Sequence, residues 1–354
     1  MVFKFSNKKI SGILSVVPKN RVKFMDEIEN YAFSREKMLN LKEVIGLNER
    51  RVVVGDECTS DLCFYGLEYL FREGLIDKKD VGAIILVTQS PDYFMPPTSF
   101  VLHGRLGLGR DVLCYDINQG CTGYLYGLLQ AFMLLEQRGI KKVVLMNGDT
   151  LSRRSSPYDR NTYPLVGDAA AISIIENANE QNAIFADLQS DGSRSDWLII
   201  PAGAFRKPST EETRQMKISP DGNKKSDEHF HMNGAGVFIF TQTEVPSSIK
   251  GFLNSTSITI NEIDYFIFHQ PNRFILEKLA DKLGIPRGKM PNNIVELYGN
   301  SSSATIPLAI CHNLRDQMLI ENLTICMAGF GVGLSWGTMV MRIGQLEFCE
   351  ILEK

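Results

Sequence analysis

The stretch Asp116-Ile117-Asn118-Gln119-Gly120-Cys121-Thr122-Gly123-Tyr124 joins two patterns of different period. Before it, Asp111-Val112-Leu113-Cys114-Tyr115 is a short apolar run of the kind a buried strand carries. After it, Leu125, Leu128, Leu129, Phe132 and Leu135 recur at helical spacing, which predicts a helix ending near Arg138-Gly139. Cys121 therefore stands where a strand turns into a helix, between Gly120 and Gly123, which leave the backbone accessible. The first amides of a helix have no partner within it, and the helix dipole adds positive charge there. Both favour a thiolate, the reactive form of cysteine. The competing reading is a small buried hydrophobe, which is what most cysteines are. Partners elsewhere in the chain decide between the two.

Outward from this stretch, the composition is that of an ordinary globular enzyme. At 354 residues the chain can form two domains or one two-lobed unit. A formal net charge of −3 and the lack of a long basic block exclude a general nucleic-acid binder. The seven cysteines are scattered without a C-x-x-C pair, fitting neither a disulfide framework nor a zinc site, so no metal is expected. No segment has the length of a signal peptide's apolar core or of a membrane span, and the expectation is a cytoplasmic protein.

Along the chain, strands are predicted at Lys9 to Val17, Val81 to Val87, Lys142 to Gly148 and Ala169 to Ile175, with helices over Phe24 to Leu47 and Ser60 to Gly74. Residues 203–231 lose apolar periodicity and read as an exposed insertion; Met232-Asn233-Gly234 then opens a helix. The second half repeats the logic of the first. An apolar run ends at His269 as another ends at Thr88, Asn300 opens a helix as Cys121 does, and Leu323 to Gly329 matches Val143 to Gly148. All three offsets fall within about two residues of 180, which predicts two similar α/β halves. Equivalent strand ends can face each other across a pseudo-twofold axis, and Cys121, His269 and Asn300 then converge.

A cysteine, a histidine and an asparagine in one pocket suit acyl transfer. The cysteine attacks a thioester carbonyl and is acylated. His269 and Asn300, as neutral donors, can polarise a second carbonyl and stabilise an enolate as carbon dioxide leaves. Asn300 competes with a plain helix-cap role, which the hydroxyls at Ser301, Ser302 and Ser303 make redundant. Gly329-Phe330-Gly331-Val332-Gly333 follows a strand, and an amide there can join that of Cys121 in an oxyanion hole. It lacks the completed pattern of a nucleotide loop.

These residues carry a family likeness. The Cys121 elbow, Val166-Gly167-Asp168-Ala169-Ala170-Ala171, Met232-Asn233-Gly234, His269-Gln270-Pro271-Asn272, Gly299-Asn300-Ser301-Ser302-Ser303-Ala304 and Gly331-Val332-Gly333-Leu334-Ser335-Trp336-Gly337 occur in family order. In these the chain resembles the β-ketoacyl-acyl-carrier-protein synthase III family along nearly its whole length. The resemblance implies a thiolase-like αβαβα fold of the α/β class with two pseudo-repeated halves, 1–178 bearing the nucleophile and 179–354 bearing His269 and Asn300.

It also implies a homodimer, ping-pong kinetics, a Cys121-His269-Asn300 triad and oxyanion amides at Cys121 and Val332. Substrate contacts are implied at Gly234, Asn272, Phe94 and Met95, the last two beside the dimer interface, and carrier-protein docking at Arg273 and Lys282. No cofactor is implied; acyl-CoA or acyl-carrier protein and malonyl-carrier protein are the substrates. Asn40, Val44 and Phe274 stand where relatives place a tryptophan, an arginine and a docking arginine, which favours a carrier protein over CoA and a specialised role in secondary metabolism or surface-polysaccharide assembly. The expected reaction is decarboxylative condensation to a 3-oxoacyl product. Transfer of the Cys121 acyl group to oxygen or nitrogen is the alternative, and an inactive subunit of a heterodimer a third reading.

Overall fold

A computed structural model describes residues 1–180 and 182–354. Its strands form two principal sheets. The first has six strands in the order Phe348–Glu353, Lys8–Val17, Ala169–Asn177, Lys142–Asp149, Val81–Val87, Leu113–Ile117. The second has five, in the order Val2–Phe5, Ile184–Ser190, Ser335–Gly344, Asn322–Gly331, Tyr265–Phe268. The terminal strands change places: the N-terminal strand completes the second sheet and the C-terminal strand runs parallel to Lys8–Val17 in the first. The predicted strands lie within about two residues of these bounds. Neither terminal strand was foreseen, both being short with much of their length half-exposed or exposed.

Between the sheets lie the helices Gly123–Leu134 and Thr305–Ile320. Tyr124, Leu125, Leu128 and Phe132 of one share a core with Ile306, Leu308, Ile310, Leu314 and Met318 of the other. That core includes Ile13, Val87 and Leu145 from the first sheet and Ile267, Ile325 and Met327 from the second. A helix apolar around most of its circumference has nowhere else to sit. The outer face of the first sheet is covered by Thr59–Arg72 and Thr98–Leu106, through Leu62, Leu67 and Leu102. Gly234–Thr256 and Arg273–Leu283 cover the second sheet through Phe240, Ile249, Leu276 and Leu279. The five layers therefore alternate helix, sheet, helix, sheet, helix. Truncating a middle-layer side chain such as Leu128 to alanine costs about 2–5 kcal/mol.

One local expectation is refined and another needs correction. The mostly helical stretch from Phe24 to Leu47 is made of separate pieces: Phe24–Glu27 and a turn at Ile28–Asn30 precede Arg35–Ile45, which ends at Gly46. Ser34 starts the second piece by accepting the Lys37 amide at 3.4 Å. The helix after Asn300 begins later than expected, at Thr305, behind a tight turn at Ser302–Ala304.

Residues 203–231 are largely solvent-facing, yet they carry a short helix (Glu211–Arg214) and a two-stranded hairpin (Lys217–Ile218 with Lys224–Lys225). Asp227 binds Lys207 and Lys217 at 2.6 and 3.0 Å, and buried Asn223 accepts the Arg160 amide at 3.1 Å.

Candidate active site

Cys121 lies in the turn between the strand Leu113–Ile117 and the middle helix Gly123–Leu134. The Gly123 amide donates to the Gly120 carbonyl at 2.7 Å, closing that turn. The Thr122 hydroxyl ties it to the other half, 2.8 Å from Ser335 Oγ. Ser335 Oγ donates in turn to the Val332 carbonyl at 2.7 Å, setting the peptide plane of Val332. The amides of Val332 and Cys121 both point at the sulfur. Space for the sulfur comes from Gly331, whose φ is +155° and where a Cβ would stand 2.6 Å from Sγ. Burial pushes the Cys121 thiol up to about 11; the two amides pull the other way and Asp149 adds to the rise. The thiolate preference expected of a helix start is therefore overridden by desolvation.

His269 ends the strand Tyr265–Phe268 and is 1% exposed. Its amide donates to the Ala328 carbonyl at 2.8 Å, continuing the ladder, and its Nδ1 lies 2.8 Å from Thr305 Oγ1. Burial lowers its pKa to about 3, so the ring is neutral at ordinary pH.

Asn300 is held from the first half of the chain: its amide donates to Leu165 (2.7 Å) and its carbonyl accepts from Gly167 (3.1 Å). That close crossing explains Gly167, where a Cβ would stand 2.0 Å from the Tyr298 carbonyl oxygen. Asp168 anchors the same segment by accepting the amides of Val53 and Ser152 at 2.9 and 3.1 Å. The Asn300 Oδ1 accepts the Ser302 amide at 2.9 Å, which leaves Nδ2 to face the cavity. The neighbouring hydroxyls do not take over the cap: no side chain caps Ser302–Ala304 or Thr305–Ile320, and Ser301 Oγ and Ser303 Oγ are buried without partners. Asn300 itself makes the cap-like bond.

Cys121, His269 and Asn300 line one cavity of about 260 Å³, with Val332, Gly234 and Asn272. Asn272 also caps Arg273–Leu283, its Oδ1 accepting the Ile275 amide at 2.9 Å. The remaining wall is mostly apolar, including Leu165, Leu198, Phe230, Met232 and Phe330. Phe238 and Phe274, stacked with centroids 5.7 Å apart, are also part of it.

Other expected residues lie elsewhere. Phe94 and Met95 are 73% and 78% exposed and border a different hollow, with Arg153 and Ala204. Arg273 is paired with Glu296, and Lys282 donates to the Gln242 carbonyl. Neither lines the Cys121 cavity. Sequence reading missed Thr305, Ser302 as a hub, and Asp149, whose carboxylate burial raises to about 6. The signals were a polar residue closing an apolar strand and a hydroxyl run after a glycine, both common for other reasons.

Two sheets around paired central helices, with a cysteine and a His/Asn pair delivered from opposite halves, define a thiolase-fold condensing-enzyme architecture. Residues 115–192 match the family model for 3-oxoacyl-[acyl-carrier-protein] synthase III, and residues 253–343 match its C-terminal model. A Campylobacter jejuni protein provisionally named 3-oxoacyl-[acyl-carrier-protein] synthase 3 is 35% identical over 353 residues, covering 99% of this chain and 98% of that one. A Clostridium perfringens beta-ketoacyl-[acyl-carrier-protein] synthase III is 31% identical, covering 95% and 99%. The crystal structure of a 3-oxoacyl-(acyl-carrier protein) synthase from Burkholderia xenovorans superposes with a TM-score of 0.92 at 34% identity, covering 100% and 99%. The chain belongs to the 3-oxoacyl-[acyl-carrier-protein] synthase III family.

Proposed function

We propose that this chain is an acyltransferase of the condensing type, joining an acyl group to malonyl-carrier protein with loss of carbon dioxide. The observation that carries the reading is the single cavity holding the Cys121 sulfur, the neutral His269 ring and the Asn300 carboxamide. Cys121 loses its proton and attacks an acyl thioester, with the oxyanion held by the amides of Cys121 and Val332; the carrier or CoA thiol departs. Malonyl-carrier protein then places its thioester carbonyl between His269 and Asn300. Its carboxylate leaves as carbon dioxide, and the electron pair passes through the enolate to the acyl carbonyl carbon. The tetrahedral adduct collapses, releases the 3-oxoacyl thioester and returns the Cys121 thiolate, which takes up a proton.

Two donors on one enolate supply several kcal/mol, at roughly 3 kcal/mol for one well-placed donor. The apolar wall suits an acyl chain and the neutral part of a thioester arm. No residue of this scheme calls for a cofactor. Kinship with 3-oxoacyl-[acyl-carrier-protein] synthases favours condensation over transfer to oxygen or nitrogen. As chemistry, this is a chain-building step of lipid metabolism, in fatty acid biosynthesis or a polyketide-like pathway.

The partners in this reading are an acyl carrier protein and a second copy of the chain, in the cytoplasm. The exposed Tyr93, Phe94, Met95, Phe100 and Phe205 support self-association, being an apolar set that a monomer would leave in water. Incubation with a panel of acyl-CoA and acyl-carrier thioesters plus carboxyl-labelled malonyl-carrier protein tests the proposal. Labelled carbon dioxide and a 3-oxoacyl product are expected; no release with any donor overturns it.

A further inference from the structure

Ser302 is a non-glycine residue at φ +56° in a buried turn, a conformation that persists only where its surroundings enforce it. Each of its groups is engaged. Its amide donates to Asn300 Oδ1 at 2.9 Å, its side chain reaches the Asp149 carboxylate, and its carbonyl accepts the Thr305 amide. Thr305, fully buried, stands next in this chain of bonds. Its Oγ1 accepts the Gln270 amide at 3.3 Å and lies 2.8 Å from both the Ser302 carbonyl and His269 Nδ1. One hydroxyl proton thus has two candidate acceptors at equal distance: the Ser302 carbonyl, whose backbone also bonds the His269 ring, and Nδ1 where that nitrogen carries its lone pair. The Ser302 carbonyl is already supplied by an amide, and an imidazole nitrogen is a far stronger base than an amide oxygen.

We propose that Thr305 is the positioning residue that gives its hydroxyl proton to Nδ1, fixes His269 as the Nε2–H tautomer, and through Ser302 holds that proton beside the Asn300 carboxamide. A neutral ring has one N–H, so only this tautomer makes His269 a donor toward the cavity. The other tautomer presents a lone pair to the malonyl carbonyl, and the enolate loses one of its two donors. The inference rests on the decarboxylative reading above and names a residue that never touches substrate.

The direct test is long-range proton–nitrogen NMR on the intact, histidine-labelled protein, which reads which ring nitrogen carries hydrogen. A pyrrole-type Nε2 on His269 in the unmodified chain is expected; a pyridine-type Nε2 overturns the proposal. Two variants give a second reading. Thr305→Val should lower condensation about 100-fold, the loss expected for one donor, while acylation of Cys121 followed by intact mass changes less than about threefold. Thr305→Ser, which keeps the hydroxyl, should restore condensation to within about fivefold of the parent. Equal losses in both half-reactions, or a Val variant that condenses normally, overturn the assignment. A parent protein releasing no carbon dioxide would sink the reaction scheme instead, and the tautomer measurement separates that failure from this one.

Discussion

The turns around Cys121 and Asn300 occupy matching places in the two halves, yet they present chemistry by opposite means. Around Cys121 the work is done by backbone: two amides face the sulfur, and the space comes from Gly331. Around Asn300 it is done by side chains in a linked series, Asp149 to Ser302 to Asn300 on one branch and Ser302 to Thr305 to His269 on the other. One site is defined by room and the other by bonds. The first should therefore be intolerant of added volume and the second of lost hydrogen bonds.

The sharpest break in that comparison is removal of the sulfur. Cys121→Ser should abolish the acyl-enzyme and lower condensation by about 10⁴-fold or more, read by intact mass and labelled product. A serine variant retaining full activity would refute the nucleophile. The parent thiol, pushed up to about 11, is protonated at neutral pH, so its alkylation by iodoacetamide should climb about tenfold per pH unit between about pH 7 and 10. A plateau beginning near pH 7 would mean that an ion pair with His269 outweighs burial.

On the other side, Asn300→Ala removes one donor and should cost about 10²–10³ in condensation, with acylation of Cys121 nearly unchanged. Loss of acylation to the same degree would erase the division of labour between the two turns. Gly331→Ala is its counterpart by volume. The new methyl meets Sγ at 2.6 Å, in a backbone region that strains any L side chain. Acylation should fall by about 10–100-fold and stability by about 1–3 kcal/mol, measured by alkylation rate and urea unfolding. Ser303→Ala in the matching turn, where Oγ has no partner, should leave stability within about 1 kcal/mol.

The same division explains what could be read from the sequence. The two-half architecture was legible because the covered strands and the buried faces of the middle-layer helices are dominated by apolar residues, as at Val81 to Val87 and Leu125 to Phe132. Cys121 and its glycines were legible because room in a backbone is written as Gly. The bonded turn was legible only in part. Asn300 stood out, but Ser302 and Thr305 act through a φ angle and a hydroxyl direction that residue type alone does not encode. The protonation state of Cys121 was misjudged for a related reason, because helix position is visible in a sequence and depth of burial is not. Phe94 and Met95 carry no such signal toward the Cys121 cavity: they lie exposed beside a separate hollow.

The smallest effect tests the root of the bonded branch. Asp149 is fully buried and raised to about 6 because desolvation outweighs the donors from Gln89, Ser302, Ser90 and Thr88. A folded-state value above the unfolded one means that the native chain binds the proton more tightly. Its contribution is therefore fully present below about pH 4 and is lost as pH rises through about 6. Between pH 5 and 7 this amounts to about 1 kcal/mol, or about 1–2 °C in melting temperature for a chain of this length. Asp149→Asn removes the titration, so the parent should lose more stability than the variant over that interval, whatever their absolute melting points. The slope is the diagnostic because the substitution also changes the bond to Ser302, which moves both curves together. Parallel curves for the two proteins would mean that the carboxylate is already charged at pH 5, its donors outweighing its burial, and that the Ser302 turn is anchored by an ion throughout.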